Sequence, residues 1–140
     1  MTNENEKIRR TELNGEELTK VNGGEGPTPD HIPVSSSAVV GRAQAELGKP
    51  YAWSGVGPDN YDAFGLVSYC LTGVHMRIGV ESTFMGWTRV SNPAPGDVCV
   101  SNSHCGIYVK PGQMIHAPTF GQAVCYGPIQ SDMIIVRCPR

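Results

Sequence analysis

The sequence predicts an α+β domain, helices first and antiparallel strands second, behind a separate polar N-terminal segment. Three observations predict it. Apolar residues recur at helical spacing between capping residues up to about residue 71. After Pro93-Ala94-Pro95-Gly96 the pattern changes to short runs rich in β-branched and aromatic residues. Three prolines crowd the stretch Glu25–Pro33, which forbids a regular helix and marks a linker. The expected division is therefore 1–24 as a leader, 25–34 as a linker and 35–140 as the folded domain.

The elements follow in order. Ser35, Ser36 and Ser37 offer N-caps for a helix over about Ala38–Leu47, with Val39, Ala43 and Leu47 as its apolar stripe. Gly48 and Pro50 stop it. Ser54–Asn60 reads as a loop. A second helix is expected from about Ala63 to Leu71, capped by Asp62, ended by Gly73, and burying Leu66, Val67, Cys70 and Leu71. Residues 74–92 favour neither helix nor strand. Strands are expected at Asp97–Val100, His104–Val109, Gln113–Ala117, Ala123–Tyr126 and Met133–Cys138, with a hairpin turn at Lys110-Pro111-Gly112. Helices followed by antiparallel strands make an α+β architecture.

Composition narrows the function. The chain has 140 residues, 39% hydrophobic and 17% charged, enough to bury a core. A net charge of −2 argues against a nucleic-acid binder, which needs a basic face. No apolar run reaches the roughly 18 residues of a membrane span, so no membrane insertion is expected. The N-terminus is polar, unlike a secretory signal peptide. The 5 cysteines, Cys70, Cys99, Cys105, Cys125 and Cys138, lack any Cys-x-x-Cys. No metal site and no cofactor are expected, and each cysteine reads first as a small buried apolar residue. A monomer is expected. Trp53 and Tyr61 read as packing residues, and His31 and His75 carry no assigned role.

In the N-terminal segment Leu13, Leu18 and Val21 fall near one face of a helix, with Glu17 beside them and Gly23-Gly24 at the end. So short a helix is marginal alone and makes sense in a partner's groove. Two glycines in a row leave a strand without side chains, able to thread a narrow cleft. This pattern resembles the double-glycine leaders of bacteriocin-like export substrates; Asn14, where Ser is commoner, is a mild departure. The resemblance implies recognition by a peptidase-containing ABC transporter, cleavage between Gly24 and Glu25, and a cytoplasmic precursor that is secreted after cleavage.

Five blocks of the domain carry a second resemblance: Lys49-Pro50-Tyr51-Ala52-Trp53-Ser54-Gly55, Tyr61-Asp62-Ala63-Phe64-Gly65-Leu66-Val67, Pro95-Gly96-Asp97-Val98, His104-Cys105-Gly106-Ile107-Tyr108-Val109 and Ile115-His116-Ala117-Pro118. In this order they resemble the NlpC-type cell-wall endopeptidases, a branch of the papain-like cysteine peptidases. The resemblance implies a papain-like fold and a substrate of peptidoglycan stem peptides, cut next to D-glutamate. It implies a nucleophilic cysteine at the start of a helix, where Ala63 stands here. A helix N-terminus favours a thiolate. His104 then matches the base, His116 the residue that orients it, and Tyr51 a contributor to the oxyanion site beside the backbone N–H of residue 63. Phe64 departs from the common Ser.

Alanine carries no nucleophile. Deliberate replacement in an otherwise complete site and natural loss in a wall-binding pseudoenzyme are both compatible with the sequence. Retention of both histidines favours the first. The alternative function is a catalytically dead wall-binding or interaction module exported as transporter cargo.

Overall fold

A computed structural model describes residues 36–139. The leader positions Leu13, Glu17, Leu18, Val21, Gly23 and Gly24, the linker and Ser35 lie outside the described residues. Three helices precede or flank a six-stranded sheet: α1 (Ser36–Ala45), α2 (Ala63–Thr72), α3 (Glu81–Met85), β1 (Thr88–Arg89), β2 (Val98–Val100), β3 (Cys105–Lys110), β4 (Gln113–His116), β5 (Cys125–Pro128) and β6 (Ile134–Arg137). The strand order is β1-β6-β2-β3-β4-β5, and every pairing is antiparallel. This is the α+β, papain-like arrangement of helices on an antiparallel sheet.

Side chains alternate across a pleated strand, so one row of residues reaches each face. The register sets Val136, Val98, Ile107 and Ile115 side by side across β6, β2, β3 and β4. That row packs against Leu66, Val67, Cys70 and Leu71 of α2 and Val39 and Ala43 of α1, all fully buried. On the opposite face Cys99, Tyr108 and Met114 are covered by Ile129, Met133 and Ile135. Each of these larger apolar side chains contributes about 1.5–3 kcal/mol by leaving water.

α2 is the element the site depends on. Asp62 caps it, its side chain accepting the Gly65 N–H at 2.7 Å. Gly73 ends it in the left-handed region, φ 75°, donating its N–H to Tyr69 O. The β3–β4 turn falls at Pro111-Gly112 as expected, with Gly112 at φ 79°.

Two expectations need correction. α1 starts and ends two residues earlier than its apolar pattern suggests. The chain leaves the helix at Ala45 because Gly48 donates to Val124 O (2.9 Å) and Tyr51 to Gln122 O (3.0 Å), drawing residues 48–51 alongside the loop before β5. Leu47 therefore leaves the apolar stripe and is 36% exposed. Trp53 is no packing residue: it is 77% exposed at the tip of a turn closed by Gly55 N–H to Ala52 O. The ambiguous stretch 74–92 holds the five-residue α3 and the two-residue β1. Tyr61, by contrast, is fully buried and donates its hydroxyl to Glu46 Oε1 at 2.7 Å.

Candidate active site

The site is built around the start of α2. Ala63 is the helix's first residue and is buried. Just before it, the Asp62 N–H donates to Gly55 O at 2.9 Å, which seats the Trp53 turn against the helix entrance. Gly65 lets this happen, because a Cβ there would collide with the Gly55 carbonyl oxygen. Asp62 uses both carboxylate oxygens: one caps α2, and the other meets Arg77 Nη2 at 2.6 Å. Arg77 comes from the segment after α2, which folds back over the loop. His75 is fixed there, its Nδ1 2.9 Å from Val56 O and its ring stacked 4.4 Å from Tyr69. Phe64 packs against Phe84 at 5.9 Å.

His104 sits one residue before β3, held by a turn in which Ser101 N–H donates to His104 O (2.9 Å) and Ser101 Oγ accepts His104 N–H (3.2 Å). Its neighbour Cys105 donates its thiol to the carbonyl oxygen of Ala63 at 3.3 Å. That contact joins the strand carrying His104 to the helix residue at position 63. Cys105 keeps the alternation of β3, sharing the α2-facing row with Ile107, and from that row its thiol reaches the backbone of residue 63. Cys105 is nonetheless fully buried, and burial pushes its thiol well up, so it has neither the access nor the charge of a nucleophile. Cys70 is likewise buried, with its thiol pushed up. Cys70, Cys99, Cys105 and Cys125 are free thiols, the first three of them buried.

His116 ends β4. Its Nδ1 lies 2.7 Å from His104 Nε2, with the rings edge-to-face and 5.0 Å apart. Glycines make the room. A Cβ on Gly127 would run into His116 Nε2, and one on Gly106 would press on His116 Cβ and Met114 Sδ. Both imidazoles are nearly buried. Burial, and then the neighbouring His116 ring, push His104 down to about 4. Burial lowers His116 as well. The pair is therefore neutral at pH 7, and one proton serves the bond between the rings. If His104 Nε2 holds that proton, its Nδ1 keeps a lone pair, the form a general base needs.

Tyr51 is half-buried and paired by its backbone with Tyr61, two residues before Ala63. Its ring meets Phe120 edge-to-face at 5.0 Å. The described structure thus brings His104 and His116 into direct contact, links residue 63 to them through Cys105, and sets Tyr51 on the chain leading to α2. The Asp62–Arg77 pair and the glycines beneath His116 carried no signal in the spacing of charged or polar residues. Among the described residues no three or more His, Cys, Asp or Glu side chains are grouped to hold a metal ion, and no helix is long and apolar enough to cross a membrane.

Comparison with known proteins gives this arrangement its context. The family described as NlpC/P60 matches residues 48–138. A probable endopeptidase of Mycobacterium tuberculosis (strain ATCC 25618 / H37Rv) is 34% identical over 111 residues, 74% of this chain and 29% of that protein. The probable endopeptidase p60 of Listeria grayi is 32% identical over 123 residues, 81% of this chain and 24% of that protein. The chain thus spans less than a third of the length of these curated relatives. Among solved structures, the NlpC/p60 domain of the peptidoglycan hydrolase SagA superposes with a TM-score of 0.61 at 30% identity, covering 73% of this chain and 98% of that domain.

Proposed function

The chain belongs to the NlpC/P60 family, and from that premise we propose that its domain is a peptidoglycan endopeptidase frame whose nucleophile position holds alanine. The observation that carries the proposal is the buried His104 Nε2–His116 Nδ1 contact of 2.7 Å beside the helix that begins at residue 63. With cysteine at 63, the thiol proton passes to His104 Nδ1 while His116 holds the ring through Nε2. The thiolate attacks the carbonyl carbon of a stem-peptide bond, and the oxyanion is met by the N–H of residue 63 and the Tyr51 hydroxyl. His104 returns the proton to the leaving amine, and water then releases the acyl group. With alanine at 63 no covalent step is available, and the chain proceeds no further than a non-covalent complex with the wall peptide.

The test is Ala63→Cys. Hydrolysis of purified peptidoglycan is expected to appear in Ala63→Cys and to vanish when His104→Ala is added. A restored thiol that leaves every wall fragment intact refutes the enzyme reading. Ala63 itself favours the second reading, a dead wall-binding module; retention of peptidoglycan in pull-downs, with no cleavage by the Ala63→Cys variant, supports that one instead.

The N-terminal segment extends the proposal. Leu13, Glu17, Leu18 and Val21 dock into the peptidase domain of an ABC transporter, which cuts after Gly24 and releases a secreted domain. Incubation with such a peptidase domain should yield a product that starts at Glu25; an unchanged mass refutes it.

A further inference from the structure

Two exposed aromatic rings flank the site, and the chemistry described so far uses neither. Trp53 is 77% exposed and Phe120 is 65% exposed. Trp53 tips the 52–55 turn, whose Gly55 carbonyl accepts from Asp62 at the entrance to α2. Phe120 lies four residues beyond His116, on the loop leaving β4. The half-buried Tyr51 joins them: it stacks edge-to-face on Phe120 and is two residues from Trp53, at most about 7 Å along an extended chain. Its N–H donates to Gln122 O, which ties the two loops together. One aromatic ring thus rises from the loop that leads to residue 63, and another from the loop that leaves His116.

The surroundings indicate what these rings meet. Neither 51–58 nor 117–124 contains a charged residue. Lys49, the nearest cation before the first segment, is turned into Glu46 Oε1 (2.7 Å) and Pro58 O (2.8 Å). Within these two segments the carboxylates of a wall stem peptide would find no counter-charge, and Arg77 beside them is paired with Asp62. A neutral ring with one face of C–H bonds fits it, because aromatic faces are electron-rich and attract polarised C–H groups. We infer that Trp53 and Phe120, braced by Tyr51, form a platform for the uncharged sugar rings of the glycan strand to which the stem peptide is attached. This rests on the wall-hydrolase reading above. It makes the rim a specificity element that distinguishes a sugar-bearing peptide from a bare one.

The chain as it stands suits the experiment, since alanine at 63 permits binding without turnover. Trp87 is nearly buried, so exposed-tryptophan emission reports Trp53. The full chain is titrated with three probes: a disaccharide-peptide from peptidoglycan, the same stem peptide without sugar, and a chito-oligosaccharide. The disaccharide-peptide is expected to bind at least about tenfold more tightly than the bare peptide, the scale of one good stacking contact. The sugar-bearing probes should shift the Trp53 emission to the blue. Trp53→Ala and Phe120→Ala, at exposed positions, should keep the far-ultraviolet circular dichroism and lose the preference for sugar while leaving affinity for the bare peptide unchanged. Equal affinity for the two peptides, or equal weakening of both in Trp53→Ala, overturns the platform and leaves the hydrolase reading standing. Trp53-dependent binding of the chito-oligosaccharide without binding of either peptide upholds the platform and overturns the stem-peptide reading. Failure of all three probes to bind overturns both.

Discussion

Replacing Asp62 by alanine should destabilise the domain by about 2 kcal/mol, for two separable reasons. The first is the cap. Asp62 Oδ1 accepts the Gly65 N–H at 2.7 Å, and losing an N-cap of this kind costs about 1 kcal/mol. The second is the ion pair with Arg77 at 2.6 Å. Arg77 is 30% exposed, so water screens it once the carboxylate is gone, and its loss costs roughly 0.5–1 kcal/mol. Asp62→Asn keeps an acceptor for Gly65 and loses the charge, so it should cost about half as much. For a domain of this size, 1 kcal/mol corresponds to roughly 4–8 °C in Tm. The Tm followed by circular dichroism should therefore fall by about 10 °C in Asp62→Ala and about 5 °C in Asp62→Asn. A double-mutant cycle with Arg77→Gln should return a coupling of about 0.5–1 kcal/mol, since the residues touch. The reasoning fails if Asp62→Ala unfolds within about 2 °C of the parent. If Asn is as damaging as Ala, the ion pair and not the cap holds the entrance to α2.

Two other predictions concern the histidine pair. An unfolded histidine protonates near 6.5, whereas His104 in the fold stays neutral down to about 4 because it is buried beside His116. As pH falls from 6.5 to about 4, the unfolded chain takes up a proton the fold refuses, so stability is lost across that window, by at most about 3 kcal/mol from this group, and no further below it. Histidine ring resonances followed by NMR should show His104 unprotonated at pH 5, and Ala63→Cys should raise its titration point as a thiolate–imidazolium pair forms; protonation of His104 near 6.5 in the Ala63 chain contradicts the buried pair. Gly127→Ala should displace the His116 ring, break its contact with His104 and cost roughly 1–3 kcal/mol, because a methyl group there occupies the space of Nε2. Unchanged His104 and His116 ring shifts in that variant would show that the ring does not lie against Gly127.

The sequence was most legible where local chemistry sets local structure. Asp62 and Gly73 punctuate α2 almost to the residue, and Pro111-Gly112 marks the hairpin. It was least legible where distant contacts decide. α1 ends early because Gly48 and Tyr51 bond to the loop before β5. α3 and β1 are too short to show a period. The first four residues of β3 are all buried, so a contrast of apolar and polar residues does not mark its two faces. Trp53 belongs to a residue type usually found inside, but a turn closed by Ala52 and Gly55 holds it in solvent. Block spacing pointed to His104 and His116 as partners through a family resemblance. Which nitrogen of each ring faces the other depends on side-chain packing that no spacing encodes.

None of the hydrogen bonds described at the candidate site uses the side chain of residue 63, whose methyl group belongs to the buried apolar core. The helix entrance is held by Asp62, Gly55 and Arg77. The strand is joined to it by the Cys105 thiol on the Ala63 carbonyl, a backbone atom. The imidazoles are held by each other, by Ser101 and by the space left at Gly127. On the proposed reading, alanine at this position lacks the nucleophile while these hydrogen bonds stay in place. Its effect should fall on the chemical step and leave substrate binding nearly intact, since a thiol matters most where a bond forms. On this reasoning the affinity of the Ala63 chain for wall fragments should match that of the double variant Ala63→Cys, His104→Ala, in which the thiol is present but its base is gone. Much weaker binding by the Ala63 chain would mean that the thiol shapes the groove as well as the reaction.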